Sequence, residues 1–307
     1  MILNIKKVKM QYNYIETFCF EDMGRENWIR LSLIIRSKGK AKTIGEDVVT
    51  LLFLDNIDNL LPFHIVLLSC IVDDLKEKGY LIVLNVLNEK LKRFIETDVY
   101  FRSYWSGKKE DHIESPTIGR LNLWRITDTG KEGYSISVEN YFKNLFPGKD
   151  LSSLKTSLNE LYFNVFDHAD AKGNAFSYIY YDENEKKIYI AICDYGKGIA
   201  KTIKPVYQLS KDSEALKKSL ESGVSSNSKP HNKGFGLDVV ISSLSENNTF
   251  RMVSNKGLLK LSKNKGSYEY KIFDLDFDFE GTLIYFELST DGFPDVDELN
   301  DFSFDDL

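Results

Sequence analysis

The stretch LSSLKTSLNELYFNVFDHA, residues 151–169, repeats two kinds of residue at helical spacing. The apolar kind recurs at steps of four, three and four residues and consists of Leu154, Leu158, Leu161 and Val165. The polar kind recurs at steps of four and consists of Glu160, Asn164 and His168. Residues three and four apart lie on one face of a helix, so the stretch predicts a helix with a buried face and a polar face beside it. The polar face is a candidate ligand site.

The stretch NAFSYIYYDENEKKIYIAICD, residues 174–194, follows this helix and predicts a β-hairpin. Ile188, Ile190 and Ile192 alternate onto one face, and turn-forming residues occupy 182–186. Asp194 ends the second strand. Together with helical and strand patterns elsewhere, this order predicts the α/β fold class, of the α+β kind.

Glycines mark three later segments, DYGKGI (194–199), NKGFGLDVV (232–240) and EGTLIYF (280–286). Backbone N–H groups without a Cβ nearby, placed at the positive end of a helix dipole, bind phosphate well. Gly234 and Gly236 precede a helix near Leu237 and are therefore candidate phosphate contacts. Each segment taken alone is equally typical of a turn or of a hinge before a helix.

Taken together and in this order, NELYFNVFDHA, DYGKGI, NKGFGLDVV and EGTLIYF resemble the ATP-binding domain of the GHKL superfamily over residues 137–290. The superfamily includes histidine kinases and anti-sigma-factor serine kinases. The resemblance implies a two-layer α/β sandwich that binds ATP with Mg²⁺.

The resemblance also implies roles for individual residues. Asp194 would accept a hydrogen bond from the adenine amino group, and Gly196 and Gly198 would let the chain pass close to the base. Asn164 would offer its side-chain carbonyl to Mg²⁺, and Glu160 would be the catalytic residue that polarises the attacking water or hydroxyl. The implied nucleotide site further contains His168, Ile199, Lys233, Gly234, Phe235, Gly236, Leu237 and Thr282.

Residues 199–233 match the position of the family's ATP lid and carry more lysines than acids. A net-positive cover over a triphosphate would be electrostatically favourable, so we expect these residues to close over the nucleotide. The expected phosphate contacts within the lid are Lys229, His231, Asn232 and Lys233.

The first 105 residues alternate β-branched runs with amphipathic segments and predict a small α/β domain. The segment VTLLFLDNIDNLLPFHIVLLSCIVDDLKEKGYLIVLNVLNEKLKRFIE, residues 49–96, looks like a STAS domain. Where that family has a phosphorylatable Ser or Thr, this chain has Leu60, Leu61 and Pro62, so we interpret the domain as a protein-interaction or dimerisation module. Residues 106–136 are predicted as a linker or structured connector, and 291–307 as an acidic tail.

Composition excludes several classes of protein. A net charge of −6 and a pI near 5.4 argue against nucleic-acid binding, because a phosphate backbone requires a basic face. Three widely spaced cysteines suggest neither disulfides nor a zinc site and fit a reducing cytoplasm. The longest apolar run, residues 65–72, is too short for a membrane span, so we expect a soluble protein.

Two functions from different classes remain. One is an ATP-dependent kinase or ATPase that acts on or through a partner protein. A homodimer is compatible with this function. The other is a non-catalytic switch or scaffold that ATP gates. His64 is the candidate phosphoacceptor histidine, but its apolar neighbours favour a packing role.

Overall fold

A computed structural model describes residues 12, 14–101, 115–167, 175–224, 236–246 and 248–296. The chain divides into two compact units. The first combines Met1–Asn59 with Ile71–Lys92, and the second combines Leu60–Cys70 with the chain from Arg93 onward. The predicted division at residue 105 stays a prediction.

The first unit contains a parallel sheet whose described strands are ordered β1-β2-β3. Its strands are β1 (Tyr14–Phe20), β2 (Asp47–Phe53) and β3 (Leu81–Val86). The helices that alternate with them are α1 (Arg25–Arg36), α2 (Pro62–Glu77) and α3 (Glu89–Arg93). Helical crossovers are what parallel strands need, so the predicted α/β pattern is confirmed.

Aromatic rings pack the core of the first unit. The ring of Phe20 stacks on Phe53 at 4.8 Å and contacts Trp28 at 4.6 Å between ring centroids. Pro62 begins α2, where its fixed φ suits the first helical turn, and Gly79 follows the helix end with φ +88°. His64 lies in the part of α2 that belongs to the second unit, where its Nδ1 accepts a hydrogen bond from the backbone N–H of Leu61 at 2.9 Å.

The second unit contains an antiparallel sheet whose described strands are ordered β4-β5-β6-β8-β7. The strands are β4 (Trp124–Arg125), β5 (Ala175–Asp182), β6 (Lys187–Asp194), β7 (Thr249–Asn264) and β8 (Ser267–Ser289). The helices are α4 (Lys131–Leu145), α5 (Ser152–Asp167), α6 (Ile199–Val206), α7 (Asp212–Lys218) and α8 (Gly236–Ser242), with a π-helical turn at Phe94–Asp98. This mixture of helices with parallel and antiparallel sheets is an α+β fold.

The predicted helix and hairpin both form. Every residue of the apolar stripe on α5 is buried, namely Leu154, Leu158, Leu161 and Val165. At the predicted turn of the hairpin, Asp182 Oδ1 accepts hydrogen bonds from the backbone N–H groups of Asn184 at 2.9 Å and Glu185 at 3.1 Å. The turn is therefore fixed by an aspartate side chain that bonds to its own loop.

One face of the sheet in the second unit packs against the helices in a single apolar core. Ile190 of β6 and Phe286 of β8 lie opposite each other on this face and are fully buried in that core, together with the stripe of α5. We call it the helix-covered face.

The other face of the same sheet is also covered. Cys70 Sγ lies 3.5 Å from the carbonyl oxygen of Cys193, and the ring of Phe63 meets the ring of Tyr285 edge-on at 6.2 Å. The segment Leu60–Cys70 therefore lies against this face, in addition to the predicted two layers. The sequence of β6 agrees, because KIYIAICD is a nearly continuous apolar run, typical of a strand buried on both faces.

The region predicted as a connector contributes to the core of the second unit. Leu121, Ile126 and Tyr134 are buried in it, and α4 already begins at Lys131. In the part of the chain that the structure describes, no helix is both long and apolar enough to cross a bilayer.

Candidate functional site

The helix-covered face ends in a row of polar side chains. Ser254 of β7 lies opposite Thr282 of β8, and Thr282 lies opposite Asp194 of β6. The row before it is apolar in these three strands and consists of Met252, Ile284 and Ile192. Side chains in register across a sheet point to the same face, so the polar row lies at the end of the core beneath the helices.

Asp194 lies at one end of this row, beside Thr282. The residue is only 2% exposed, and its Oδ1 accepts a hydrogen bond from the backbone N–H of Gly196 at 2.8 Å. The chain thus turns back onto the carboxylate directly after the strand. A buried acceptor with this fixed orientation can discriminate between ligands that do and do not donate a hydrogen bond.

Gly198 and Gly281 both lie against residues of the polar row, and neither could carry a side chain there. Gly198 has φ +86°, and a Cβ would lie 2.5 Å from Asn255 Oδ1, 2.6 Å from Ser254 Oγ and 2.7 Å from the carbonyl oxygen of Gly281. Gly281 has φ +128°, and its Cβ would overlap the carbonyl oxygen of Asp194. Strands β7 and β8 of the protein itself thus explain why residue 198 has no side chain, and the close approach of Gly198 to a base stays a prediction.

Ser254 and Asn255 are site residues that sequence reasoning missed. Ser254 Oγ donates to the carbonyl oxygen of Gly281 at 2.7 Å, and Asn255 Nδ2 donates to the carbonyl oxygen of Lys197 at 3.1 Å. The signal was an Asn two residues before Gly257 within a strand, a combination typical of a β-bulge.

Helix α5 is anchored near the same end of the sheet. Tyr162 Oη and Ser177 Oγ lie 2.9 Å apart, and Ser177 is two residues after Ala175, the partner of Asp194 in the sheet. This contact fixes the part of α5 that carries Glu160 and Asn164 near the beginning of β5. Both residues are half-buried.

Helix α8 packs against the polar stripe of α5. Ser157 Oγ donates to Ser243 Oγ at 3.3 Å, and one turn later on α5 Glu160 interacts with Asp238, which is earlier on α8. Because the two pairs follow opposite chain directions, the helices are antiparallel. Burial, and secondly the charge of Asp238, raise the pKa of the Glu160 carboxyl.

The remaining predicted residues have different environments. Thr282 is buried in the polar row, 3.4 Å from Ser254 Oγ, and Gly236 is the first residue of α8. The side chains of Ile199 and Leu237 pack in the apolar core at the start of α6 and α8. Four predicted site residues lie outside the described residues, namely His168, Lys233, Gly234 and Phe235.

The described part of the predicted lid is rich in ion pairs. Four of its lysines form ion pairs with carboxylates: Lys201 with Asp278 and Glu280, Lys204 with Asp212, Lys211 with Asp274, and Lys218 with Glu221. These carboxylates offset the positive charge of the four lysines, and the expected closure of the lid over a nucleotide stays a prediction. The predicted lid contacts Lys229, His231 and Asn232 lie outside the described residues.

A second contact joins the lid region to the sheet. Asp212 Oδ2 accepts a hydrogen bond from the backbone N–H of Lys256 at 3.1 Å, and Ser213 Oγ donates to Asp274 Oδ1 at 2.7 Å. The Ser213 hydroxyl also holds the pKa of Asp274 below its usual value. The hydrogen bonds of Asp212 and Ser213 thus connect helix α7 to the β7–β8 hairpin.

A metal ion would find few protein ligands here. Among the described residues, no three His, Cys, Asp or Glu side chains converge as a metal site.

Comparisons with known proteins add little to this geometry. No protein-family model matches the chain, and no curated protein matches it. A solved structure of the topoisomerase IV ATP-binding domain from Francisella tularensis, in complex with a small-molecule inhibitor, is 22% identical and covers 38% of this chain and 31% of that chain, with a TM-score of 0.25. The match thus spans less than a third of the topoisomerase domain, and a TM-score of this size does not establish a common fold.

Proposed function

We propose that the second unit binds ATP with Mg²⁺ at the polar row, and that the protein is an ATP-dependent kinase or ATPase of the anti-sigma-factor and histidine-kinase-like class. It would act on or through a partner protein, with the first unit as the interaction or dimerisation module. The observation that carries the proposal is the buried Asp194 carboxylate at the end of β6, bordered by Thr282 and two obligatory glycines.

Adenine recognition follows from the acceptor chemistry of Asp194. Adenine presents an exocyclic amino donor where guanine presents a carbonyl oxygen, so a buried carboxylate favours adenine and repels guanine. The hydrogen bond from Gly196 N–H orients this carboxylate before any ligand arrives. Thr282 places a hydroxyl beside it in the next strand.

Phosphate binding and chemistry would take place along α5. Asn164 would give its amide oxygen to Mg²⁺, and Mg²⁺ would neutralise phosphate charge and orient the phosphates. Glu160, one turn earlier on the same stripe, would accept the proton of the attacking water or hydroxyl. Its raised pKa makes it a stronger base than an ordinary glutamate, which suits a general base working near neutral pH.

Calorimetry with the full chain and excess magnesium tests the binding step. We expect ATP uptake by the native chain and a loss of about tenfold or more in affinity for Asp194→Asn, since the amide cannot replace a charged acceptor. The amide oxygen of that variant could still accept from the backbone N–H of Gly196, so the loop is kept. Glu183→Gln, an exposed change in the hairpin turn, is the control and should bind normally. No uptake by the native chain, or full affinity in Asp194→Asn, would refute the proposal.

Incubation with γ-labelled ATP tests the chemistry. Released phosphate indicates an ATPase, label on a second protein indicates a kinase, and intact ATP that stays bound indicates the non-catalytic switch or scaffold. Glu160→Ala should lose turnover by about a hundredfold or more while retaining nucleotide, as expected for removal of a general base. Equal turnover in this variant would contradict the role of Glu160.

A further inference from the structure

Asn255 occupies an irregular position in β7. The pairing of β7 with β8 shifts register on both sides of it, between Ser254 and Asn255 and between Asn255 and Gly257. The residue is fully buried and has φ +52°, a left-handed conformation in which Asn is tolerated far better than most residues. A buried polar residue in such a conformation needs a specific reason.

The side-chain amide of Asn255 is fully engaged. Oδ1 accepts from the backbone N–H of Lys201 at 3.0 Å, and Nδ2 donates to the carbonyl oxygen of Lys197 at 3.1 Å. Nδ2 also lies 3.3 Å from Asp278 Oδ1. A backbone N–H can only donate and a carbonyl can only accept, so these partners fix which end of the amide faces which group.

These bonds span the glycine loop that follows Asp194. Lys197 precedes Gly198 and Lys201 lies in the first turn of α6, so one amide holds the backbone on both sides of Gly198. The preceding residue, Ser254, bonds to Gly281, whose backbone crowds the carbonyl of Asp194. Residues of the β7 bulge thus hold the backbone of the loop by hydrogen bonds.

We propose that Asn255 is a positioning residue that sets the conformation of the Asp194–Gly198 loop and, through it, the selectivity of this site for adenine over guanine nucleotides. This rests on the proposed function. Asn255 acts through the loop: its hydrogen bonds hold Lys197 and Lys201 in place, and the loop in turn directs the Asp194 carboxylate through the Gly196 N–H.

Two substitutions separate the side chain from the backbone. Asn255→Asp keeps the shape and the acceptor for Lys201, but turns an oxygen toward the carbonyl of Lys197 and the carboxylate of Asp278. Asn255→Gly keeps the positive φ and removes the side chain. Lys265→Gly is the matched control, because Lys265 has φ +50° in the exposed β7–β8 turn.

The experiment measures dissociation constants of the full chain for ATP, GTP and inorganic triphosphate by calorimetry with excess Mg²⁺. For Asn255→Asp and Asn255→Gly we expect ATP affinity to fall by about tenfold, with a smaller ratio of ATP to GTP affinity. Affinity for inorganic triphosphate, which has no base, should stay within about twofold of the native value. Lys265→Gly should match the native chain in all three.

An unchanged ATP to GTP ratio in both Asn255 variants would overturn the inference, and so would an equal loss for all three ligands, which is the result of general destabilisation. Amide hydrogen exchange without ligand gives a readout that does not depend on the proposed function. In the variants, exchange should accelerate at residues 196–201 and stay unchanged at 188–192 of β6. If the native chain binds no ATP, the proposed function fails, while this exchange result still decides whether Asn255 positions the loop.

Discussion

Ser157 Oγ donates a hydrogen bond to Ser243 Oγ at 3.3 Å, and this contact fixes how α5 lies along α8. One helical turn after Ser157, Glu160 comes under the influence of Asp238. The protonation of the proposed general base therefore depends on the packing of two helices that are more than 60 residues apart in the chain.

Asp238→Asn should lower the pKa of Glu160, because it removes the negative charge that opposes ionisation. Burial remains, so the pKa should stay above that of an exposed glutamate. If Glu160 is the base, the acidic limb of the profile of kcat/KM against pH moves to lower pH. Asp291→Asn, at an exposed aspartate paired with Lys186, should leave the profile unchanged. An unmoved limb in Asp238→Asn would show that the base is not Glu160.

The difference in Tm between Glu160→Gln and the native chain should favour the variant more at neutral pH than at pH 4. The folded-state pKa of Glu160 is raised, so its stabilising contribution is complete below the unfolded pKa and is lost as pH rises through the folded pKa. Glutamine carries no charge and avoids that loss. We expect the difference in Tm to grow by at most about 3 °C between these pH values, since the side chain is half-exposed. A difference that shrinks as pH rises would contradict the raised pKa.

Asn164→Ala should weaken the magnesium-dependent part of ATP affinity, because it removes the proposed amide ligand of the cation. With Mg²⁺ present we expect ATP to bind about tenfold more weakly, while affinity measured in EDTA changes little. Asn184→Ala, in the exposed hairpin turn, serves as the matched control. An equal loss with and without Mg²⁺ would assign Asn164 to packing or to direct phosphate contact.

Gly198→Ala should destabilise the second unit more than Gly266→Ala. Both glycines have positive φ, +86° and +76°, but a Cβ at Gly266 would meet nothing within 4 Å. Gly266→Ala thus measures backbone strain alone, about 1 kcal/mol, and Gly198→Ala adds a clash with buried polar atoms, bringing the cost to about 3 kcal/mol or more. Urea unfolding followed by circular dichroism measures both. Equal costs would mean that the Gly198 loop can shift freely.

Local patterns predicted the parts of the fold whose information lies within a few residues. The stripe of α5, the hairpin with its Asp182 turn, and the strand end at Asp194 were all predicted because helical and strand periodicity act over short distances. The burial of the second sheet face by Leu60–Cys70 was not predicted, since nothing local pairs that segment with β6.

Residue chemistry and helical spacing are local properties, so the residues of the candidate site could be predicted from the sequence: Asp194 with its glycines, and the polar stripe with Glu160 and Asn164. The neighbours of these residues come from distant parts of the chain and could not be predicted in this way. Asn255 lies more than 50 residues from the loop it holds, and Lys201 and Lys211 pair with Asp278 and Asp274 of the distant strand β8. The physical reason is that sheet register and helix packing create these neighbours, and only folding brings such distant segments together.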